Sequence, residues 1–429
     1  MHLSIVEYGK KIQWPKTNSK LVESVSKQWQ KTLGIRQEPF IIDNQNYIKS
    51  SAVTGFITID KINIEIKPKF LNDIPESNTW RQILWNILIF NNGNNSAILS
   101  ESLITKTISK NSILDLIGWV FLNEIRQLKS GIPRNYITQE NELKTLRGKL
   151  DIRKIINLAI NPHGLHCIYD EYTDNIFVNQ LFKWAGTILS QNVESSYLSG
   201  LLNQELIFFK DITFNPSPSL EKSKRIKLPN QYKHAESLLT ISILLLENHN
   251  VEYNFGSFKN FGFLWNSHKV YEDFLYKILK VCISHFNNRN MTLVKEKQTT
   301  LATSISNVNK IIQKPDYIIK ENAYNIFILD AKYKYLEYDK LANKHKNPKK
   351  EDINQMLVAC SFEECKHGIL IYPGNSKTGT KVHSFTVNHL GNPKYIHILY
   401  INLELMVNFK NYKILSKEIY NQLLIINNM

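Results

Sequence analysis

Two aspartates and a lysine carry the chemistry that this chain's residue types and spacing allow. Asp330-Ala331-Lys332 closes an unbroken apolar run, Ile326-Phe327-Ile328-Leu329, and a second acid stands upstream in Pro315-Asp316. The stretch from Lys314 to Lys334 reads as strand, turn, strand, with polar Glu321-Asn322-Ala323 interrupting two β-rich runs. Positions 316 and 330 are symmetric about 323, so a turn there sets the two carboxylates opposite each other. Asp330 and Lys332 are two apart and share one face of their strand. Two carboxylates and an ammonium on one patch are what a magnesium-dependent phosphodiesterase needs. The metal takes oxygen ligands from one or two carboxylates, waters and a phosphate. The cation stabilises charge growing on the phosphorus oxygens. The bland alternative for Asp-x-Lys at a strand end is a salt-bridged surface pair.

Two further residues are candidates to support the site. Glu272 falls on a predicted amphipathic helix, Tyr271 to Val281, before the hairpin. Gln355 falls on a predicted helix, Asp352 to Glu364, after it. Either one alone reads more simply as a solvated helix residue. Lys340, Lys344, Lys346, Lys349 and Lys350 crowd one loop beside the hairpin. They suit a DNA backbone, where each neutralised phosphate adds salt-dependent affinity, or a flexible solvated loop.

The elements that must position these groups follow from patterning. Residues 53–70 read as a hairpin, Gly55-Phe56-Ile57-Thr58-Ile59 and Ile62-Asn63-Ile64-Glu65-Ile66, turning at Asp60-Lys61 and ended by Pro68. The second arm alternates and is expected to be half-buried. Helical periodicity covers Thr79 to Phe90 and Ile113 to Leu128, and Gly131 and Pro133 break it. A polar segment follows Asp151, then a helix from Asn175 to Leu189. Residues 190–250 read as a mostly helical connector. His367 to Tyr372, Phe385 to Val387 and Tyr395 to Ile401 read as strands. Helix, hairpin, helix, strand is an α/β order.

The chain has 429 residues and a formal net charge of +15. A basic excess of that size favours a polyanionic partner, most often nucleic acid, or reflects a Lys-rich composition with no functional meaning. Cys167, Cys282, Cys360 and Cys365 have no metal-type or disulfide-type spacing. The start, Met1 to Glu7, does not read as a signal peptide, and the longest apolar stretches are too short to span a bilayer. The expectation is a cytoplasmic protein. Gly374 to Lys381 misses the phosphate-binding loop pattern, because the order is Gly-Thr-Lys and a strand-like run follows. His163, His166 and Cys167 have no second cluster to complete a metal site.

The C-terminal third resembles a PD-(D/E)xK nuclease domain, and the chain as a whole resembles the McrC family, the nuclease subunit of the McrBC modified-cytosine restriction system. The resemblance rests on ordered segments. These are Gly55 to Phe70, ending Ile66-Lys67-Pro68-Lys69-Phe70; Leu146-Arg147-Gly148-Lys149-Leu150-Asp151; Cys167 to Tyr172 with Asp174, Asn175 and Asn179; Lys314-Pro315-Asp316; Leu329 to Lys334; and Asp352 to Gln355. It implies an α+β N-terminal region followed by an α/β restriction-endonuclease-like domain with a central mixed sheet flanked by helices. The expected division is 1–160 for docking a partner, 161–255 as connector and 256–429 as nuclease.

By resemblance, Asp316, Asp330 and Lys332 are the catalytic triad, the two aspartates hold Mg2+ (or Mn2+), and Gln355 is the helix glutamine. The sequence departs from the family pattern at Ala359, where many such nucleases carry a tyrosine. The implied partners are double-stranded DNA and an McrB-like AAA+ GTPase ring. The ring, not this chain, uses GTP, which agrees with the missing phosphate-binding loop. A self-sufficient nuclease and a non-enzymatic GTPase activator with a degenerate nuclease fold are the rival readings.

Overall fold

The computed structural model describes residues 2–15, 19–59, 62–72, 74, 79–92, 112–128, 131–154, 164–248, 253–255, 258–286, 290–304, 310–334, 336, 338–339, 344–345, 348–387 and 393–428. The chain divides into two compact units. One comprises Met1–Gly93, Ile98–Ile113 and Asn250–Met429, and the other Asn94–Ala97 with Leu114–His249.

Two large sheets form the core of the first unit, beside three smaller ones of two or three strands among the described residues. The five-stranded sheet is made by β1 (His2–Val6), β2 (Val53–Ile59), β3 (Ile62–Lys67), β4 (Tyr253–Phe255) and β5 (Phe258–Asn266), in the order β1-β3-β2-β5-β4. β5 pairs antiparallel with β2, so strands about two hundred residues apart share one ladder. Gly55 permits it. Its φ is +130°, and a Cβ there would lie 2.2 Å from the Phe263 carbonyl oxygen, so only glycine fits. Helix α1 (Ser19–Leu33) lays Leu21, Val22, Val25 and Trp29 onto Ile5, Ile57, Ile64 and Leu264 of this sheet.

This long-range ladder corrects the sequence-based division. The described residues of 2–92 pack with those of 253–428, and 114–154 belong with the segment read as a connector. Local composition carries no trace of a pairing at such separation. The β3 arm is also more buried than its alternation implied. Glu65 is fully buried there because Arg81 binds its carboxylate with two guanidinium nitrogens, Nε at 2.6 Å. A bidentate guanidinium is the partner a buried carboxylate needs.

The second sheet has six strands: β6 (Met291–Lys295), β7 (Tyr317–Glu321), β8 (Tyr324–Ala331), β9 (His367–Gly374), β10 (Lys381–Val387) and β11 (Lys394–Asn402), in the order β6-β7-β8-β9-β11-β10. β6, β7 and β8 run as an antiparallel meander, while β8, β9 and β11 are mutually parallel. The parallel step from β8 to β9 requires a crossover, supplied by helix α4 (Lys350–Phe362); α2 (Thr79–Asn92) and α3 (Ser267–Ile283) precede it in the chain and α5 (Tyr412–Asn427) follows it. α4 covers the face carrying Ile328, Leu370, Tyr372, Ile398 and Tyr400. α3 and α5 contact the sheet as well, and the Tyr317 hydroxyl on the opposite face donates to the Glu272 carbonyl oxygen of α3 at 2.6 Å. The Gln82 and Asn86 amides of α2 tie it to the carbonyls of Met406 and Val407.

The second unit is helical, with Phe177–Asn192, Ser196–Leu206 and Glu236–Asn248 as its long helices beside most of Ile113–Gln127. It also carries a sheet that the polarity of its sequence concealed. Asn135–Leu143 pairs antiparallel with Leu165–Thr173, which pairs with Lys149–Leu150. Among the described residues no helix is long and apolar enough to cross a membrane. All four cysteines are buried free thiols.

Candidate active site

The hairpin of β7 and β8 sets the register of the site. Asn322 adopts φ +54° in a two-residue turn, so Glu321 pairs with Tyr324. That register alone would place Asp316 opposite Leu329. A bulge at Ile319/Lys320 inserts one residue of β8, after which Tyr317 pairs with Leu329 and the next pair outward is Asp316 with Asp330. Directly opposed residues of an antiparallel pair point to the same side. Both carboxylates therefore sit on the α4 face of the sheet, at the end where β8 leaves it.

Each acid is held differently. Asp316 Oδ2 accepts the Ala331 N–H at 2.7 Å. Asp330 is 9% exposed and its Oδ2 pairs with the Lys332 ammonium. Burial, then the Asp330 charge, pushes the Asp316 carboxyl up to about 7, and Glu272 adds to the rise. Burial also raises Asp330, against the lowering by Lys332. Lys332 behaves oppositely. Burial lowers its pKa, but Asp330 and Asp352 outweigh burial and the net shift is upward. Lys332 is thus an ammonium at neutral pH, a hydrogen-bond donor and not a proton acceptor.

Sequence reasoning missed Asp352, which joins the cluster from the first turn of α4. Its Oδ1 lies 3.3 Å from Lys332 Nζ, and its Oδ2 accepts from Lys334 Nζ at 2.7 Å and from the Tyr372 hydroxyl at 3.4 Å. Burial raises Asp352, but Lys334 and Lys332 outweigh it and hold the carboxyl below its usual range. The available signal was spacing. Asp352 precedes Gln355 by three, which puts both on one helical face.

The structure brings Gln355 to the same lysine. Its Oε1 accepts from Lys332 Nζ at 3.5 Å, the long limit for such a bond, and its backbone carbonyl accepts from Gln313 at 2.9 Å. Ala359, one turn on, is 3% exposed and packs under the sheet in the cluster containing Ile328 and Leu370. Glu272 sits on α3 within electrostatic range of Asp316 and Asp330, and burial raises its carboxyl. Among the described residues no hydrogen bond or ion pair joins its side chain to them.

Of the loop lysines, Lys349 occupies the position before α4 without a side-chain capping bond and Lys350 is the first helical residue, and both side chains are exposed. Lys344 lies in a two-residue strand paired with Tyr338–Asp339. Lys340 and Lys346 lie outside the described residues, as does His163. The run after Pro373 continues into strand β10 rather than a helix, so it is no phosphate-binding loop.

The donor set fits a hard, water-rich cation. Two carboxylates face one patch, and the Asp330 charge adds to the burial that raises Asp316, an arrangement that suits oxygen ligation of a cation. Among the described residues no three His, Cys, Asp or Glu side chains converge into a closed cage, which a structural zinc or calcium site would require.

Comparison with known proteins follows the same lines. No curated protein matches the chain. Over 98% of its length the chain resembles a solved chain described as "Refined half-complex from tetradecameric assembly of Thermococcus gammatolerans McrB AAA+ hexamers with bound McrC". That chain is covered in full, with a TM-score of 0.66 at 18% identity. A second match, "Cryo-EM structure of the Thermococcus gammatolerans McrBC complex", covers 66% of this chain and 88% of the other, with a TM-score of 0.50 at 16% identity. At these identities the likeness is one of fold. The model of the family described as McrBC 5-methylcytosine restriction system component matches residues 48–373. That span exceeds half the chain and includes Asp316, Asp330, Lys332, Asp352 and Gln355, and the chain belongs to this McrBC family.

Proposed function

We propose that this chain is the magnesium-dependent endonuclease subunit of a McrBC-like, GTP-dependent restriction system. In this reading it hydrolyses DNA phosphodiester bonds through a PD-(D/E)xK site and stimulates a separate AAA+ GTPase ring. The observation that carries the reading is the placement of Asp316, Asp330 and Lys332 on one sheet face, with α4 adding Asp352 and Gln355. A decayed nuclease fold kept as a scaffold has no reason to hold a half-buried lysine between two acids.

Asp316 and Asp330 would hold Mg2+ or Mn2+, and the bound metal would supply Lewis-acid polarisation of the phosphate and a more acidic water. The chain's own residues do the rest. Lys332 Nζ, fixed as an ammonium by Asp330 and Asp352, donates to a non-bridging phosphate oxygen as negative charge builds on it. Gln355 limits the directions in which that ammonium can swing. Lys349 and Lys350, exposed at the start of α4, contact backbone phosphates without reading bases. The solved assembly whose chain this one resembles holds McrB AAA+ hexamers with bound McrC, which supports a partner ring of that kind here.

The test is reconstitution. The purified chain, its cognate AAA+ ring, GTP, Mg2+ and DNA carrying modified cytosines are combined, and both cleavage and GTP turnover are followed. Cleavage and faster turnover should require the chain and the ring together. Asp330→Ala should abolish cleavage and leave the stimulation of GTP turnover in place. Site-specific cutting by the isolated chain without nucleotide would favour a self-sufficient nuclease instead. Stimulation with no cleavage by the unaltered chain would favour the activator reading.

A further inference from the structure

We propose that Glu7 is a positioning residue for Lys332, acting through Tyr333. The inference rests on the nuclease reading above.

β8 ends at Ala331, so the ladder that orders Asp330 stops one residue before Lys332. Beyond that point the main chain keeps two bonds, from Lys332 N–H to the Ile371 carbonyl and from Lys334 N–H to the Lys332 carbonyl, both 2.8 Å. Tyr333 follows Lys332 and leaves the chain on the other side. Its side chain is anchored in a pocket built by the first sheet and α3. His268 lies against its ring, tilted by 32° at 4.1 Å, and Phe70 and Tyr271 meet it edge-on at 5.5 Å and 6.1 Å. Its hydroxyl donates to Glu7 Oε2.

Glu7 is itself an unusual residue to retain there. It is 1% exposed and directly follows β1. Its Oε2 also accepts the Lys69 N–H at 3.0 Å, while Oε1 has no hydrogen-bond partner among the described residues. The buried Ser267 hydroxyl lies beside both the carboxylate and the Tyr333 hydroxyl and draws the pKa of each down. Burial pushes the Glu7 carboxyl up to about 7. A buried acid with one oxygen unused costs stability that an apolar residue would not. What the acid provides in return is a fixed acceptor for the Tyr333 hydroxyl. That bond sets the direction in which the chain leaves the sheet, and hence where the Lys332 ammonium stands between Asp330 and Asp352.

Tyr333→Phe removes the hydroxyl alone, and the full chain is assayed with its AAA+ ring, GTP and Mg2+. At saturating DNA the single-turnover cleavage rate should fall roughly 10- to 100-fold, the range expected for a misplaced reacting group. DNA affinity and binding stoichiometry in EDTA should stay as in the unaltered chain, which excludes a loss of folded protein. Amide hydrogen exchange should quicken in the peptide spanning 329–336 and not in α1. Glu7→Ala should reproduce the loss, the double variant should lose no more than either single one, and Glu7→Gln, which keeps an acceptor oxygen, should recover most of the rate. Wild-type cleavage by Tyr333→Phe would overturn the proposal. Absence of cleavage by the unaltered chain would instead count against the nuclease reading itself.

Discussion

Asp352 Oδ1 lies 3.3 Å from the Lys332 ammonium, so the lysine of the Asp-x-Lys pair is held by one acid from its own strand and one from the crossover helix. The second acid is in turn gripped by Lys334 and Tyr372. The chain of alternating charges fixes Lys332 from two elements, where a strand residue alone would leave its long side chain free. Asp352→Asn keeps the shape and removes the charge. Cleavage should slow roughly 10-fold or more with metal binding intact, measured by single-turnover kinetics and by Mn2+ titration calorimetry. Unchanged kinetics would reduce Asp352 to a structural ion pair.

Asp316 gives a sign for the dependence of stability on pH. Burial and the neighbouring acid push its carboxyl up to about 7 in the folded chain, from the ordinary 3.8. Between those values the unfolded chain has released this proton and the folded chain still holds it. Stability contributed by this group therefore falls as pH rises through that window. In metal-free protein, Asp316→Asn should flatten that fall and raise the melting temperature at pH 8. Adding Mg2+ at pH 8 should stabilise the unaltered chain, through binding to the folded state alone, and should do little for the variant. A melting curve for Asp316→Asn that keeps both the pH slope and the Mg2+ response would contradict the assignment.

Much of this site was legible because its determinants are local. The two acids flanking one short hairpin, the apolar run before Asp330 and the period of the following helix all lie within fifty residues, although it is the bulge at Ile319/Lys320, not the turn alone, that opposes 316 to 330. What was not legible came from pairing across distance. Nothing near Val53–Ile59 announces Phe258–Asn266 as its neighbour, and so the unit boundaries fell in the wrong places. The Glu7 to Tyr333 bond spans 326 positions and left no mark on either local pattern. Asn135–Leu143 and Leu165–Thr173 were hidden for another reason. Asn135–Leu143 is largely exposed and Leu165–Thr173 is mostly half-buried with only Cys167 and Tyr169 buried, so the alternation that reveals a strand is weak.

Gly148 marks a second place where backbone, not side chain, decides. Its φ is +70°, and a Cβ would lie 2.3 Å from the Ile168 carbonyl oxygen, in the ladder that joins Lys149–Leu150 to Leu165–Thr173. Gly148→Ala meets strain and a clash together. It should destabilise the second unit by about 1–3 kcal/mol and speed amide exchange in residues 165–173, leaving exchange in β7 and β8 unaffected. Equal stability by chemical denaturation would show that the ladder rearranges around the new methyl.

The exposed pair Lys349 and Lys350 separates backbone contact from chemistry. Both stand before Asp352 at the start of the helix that carries Gln355, exposed beside the first-turn acids Glu351 and Asp352. If they sit on phosphates, each lost contact removes about 0.9 from the slope of log affinity against log salt, or roughly 2 for the pair. The Lys349→Ala, Lys350→Ala double variant should therefore bind DNA more weakly at low salt, and by the same factor for modified and unmodified sequences. The cleavage rate of DNA already bound should stay near that of the unaltered chain, because Lys332 and its two acids are untouched. Titrations at several salt concentrations, each with both DNAs, decide the matter. An unchanged slope would make these lysines solvated, and a loss confined to one sequence would make them readers of bases.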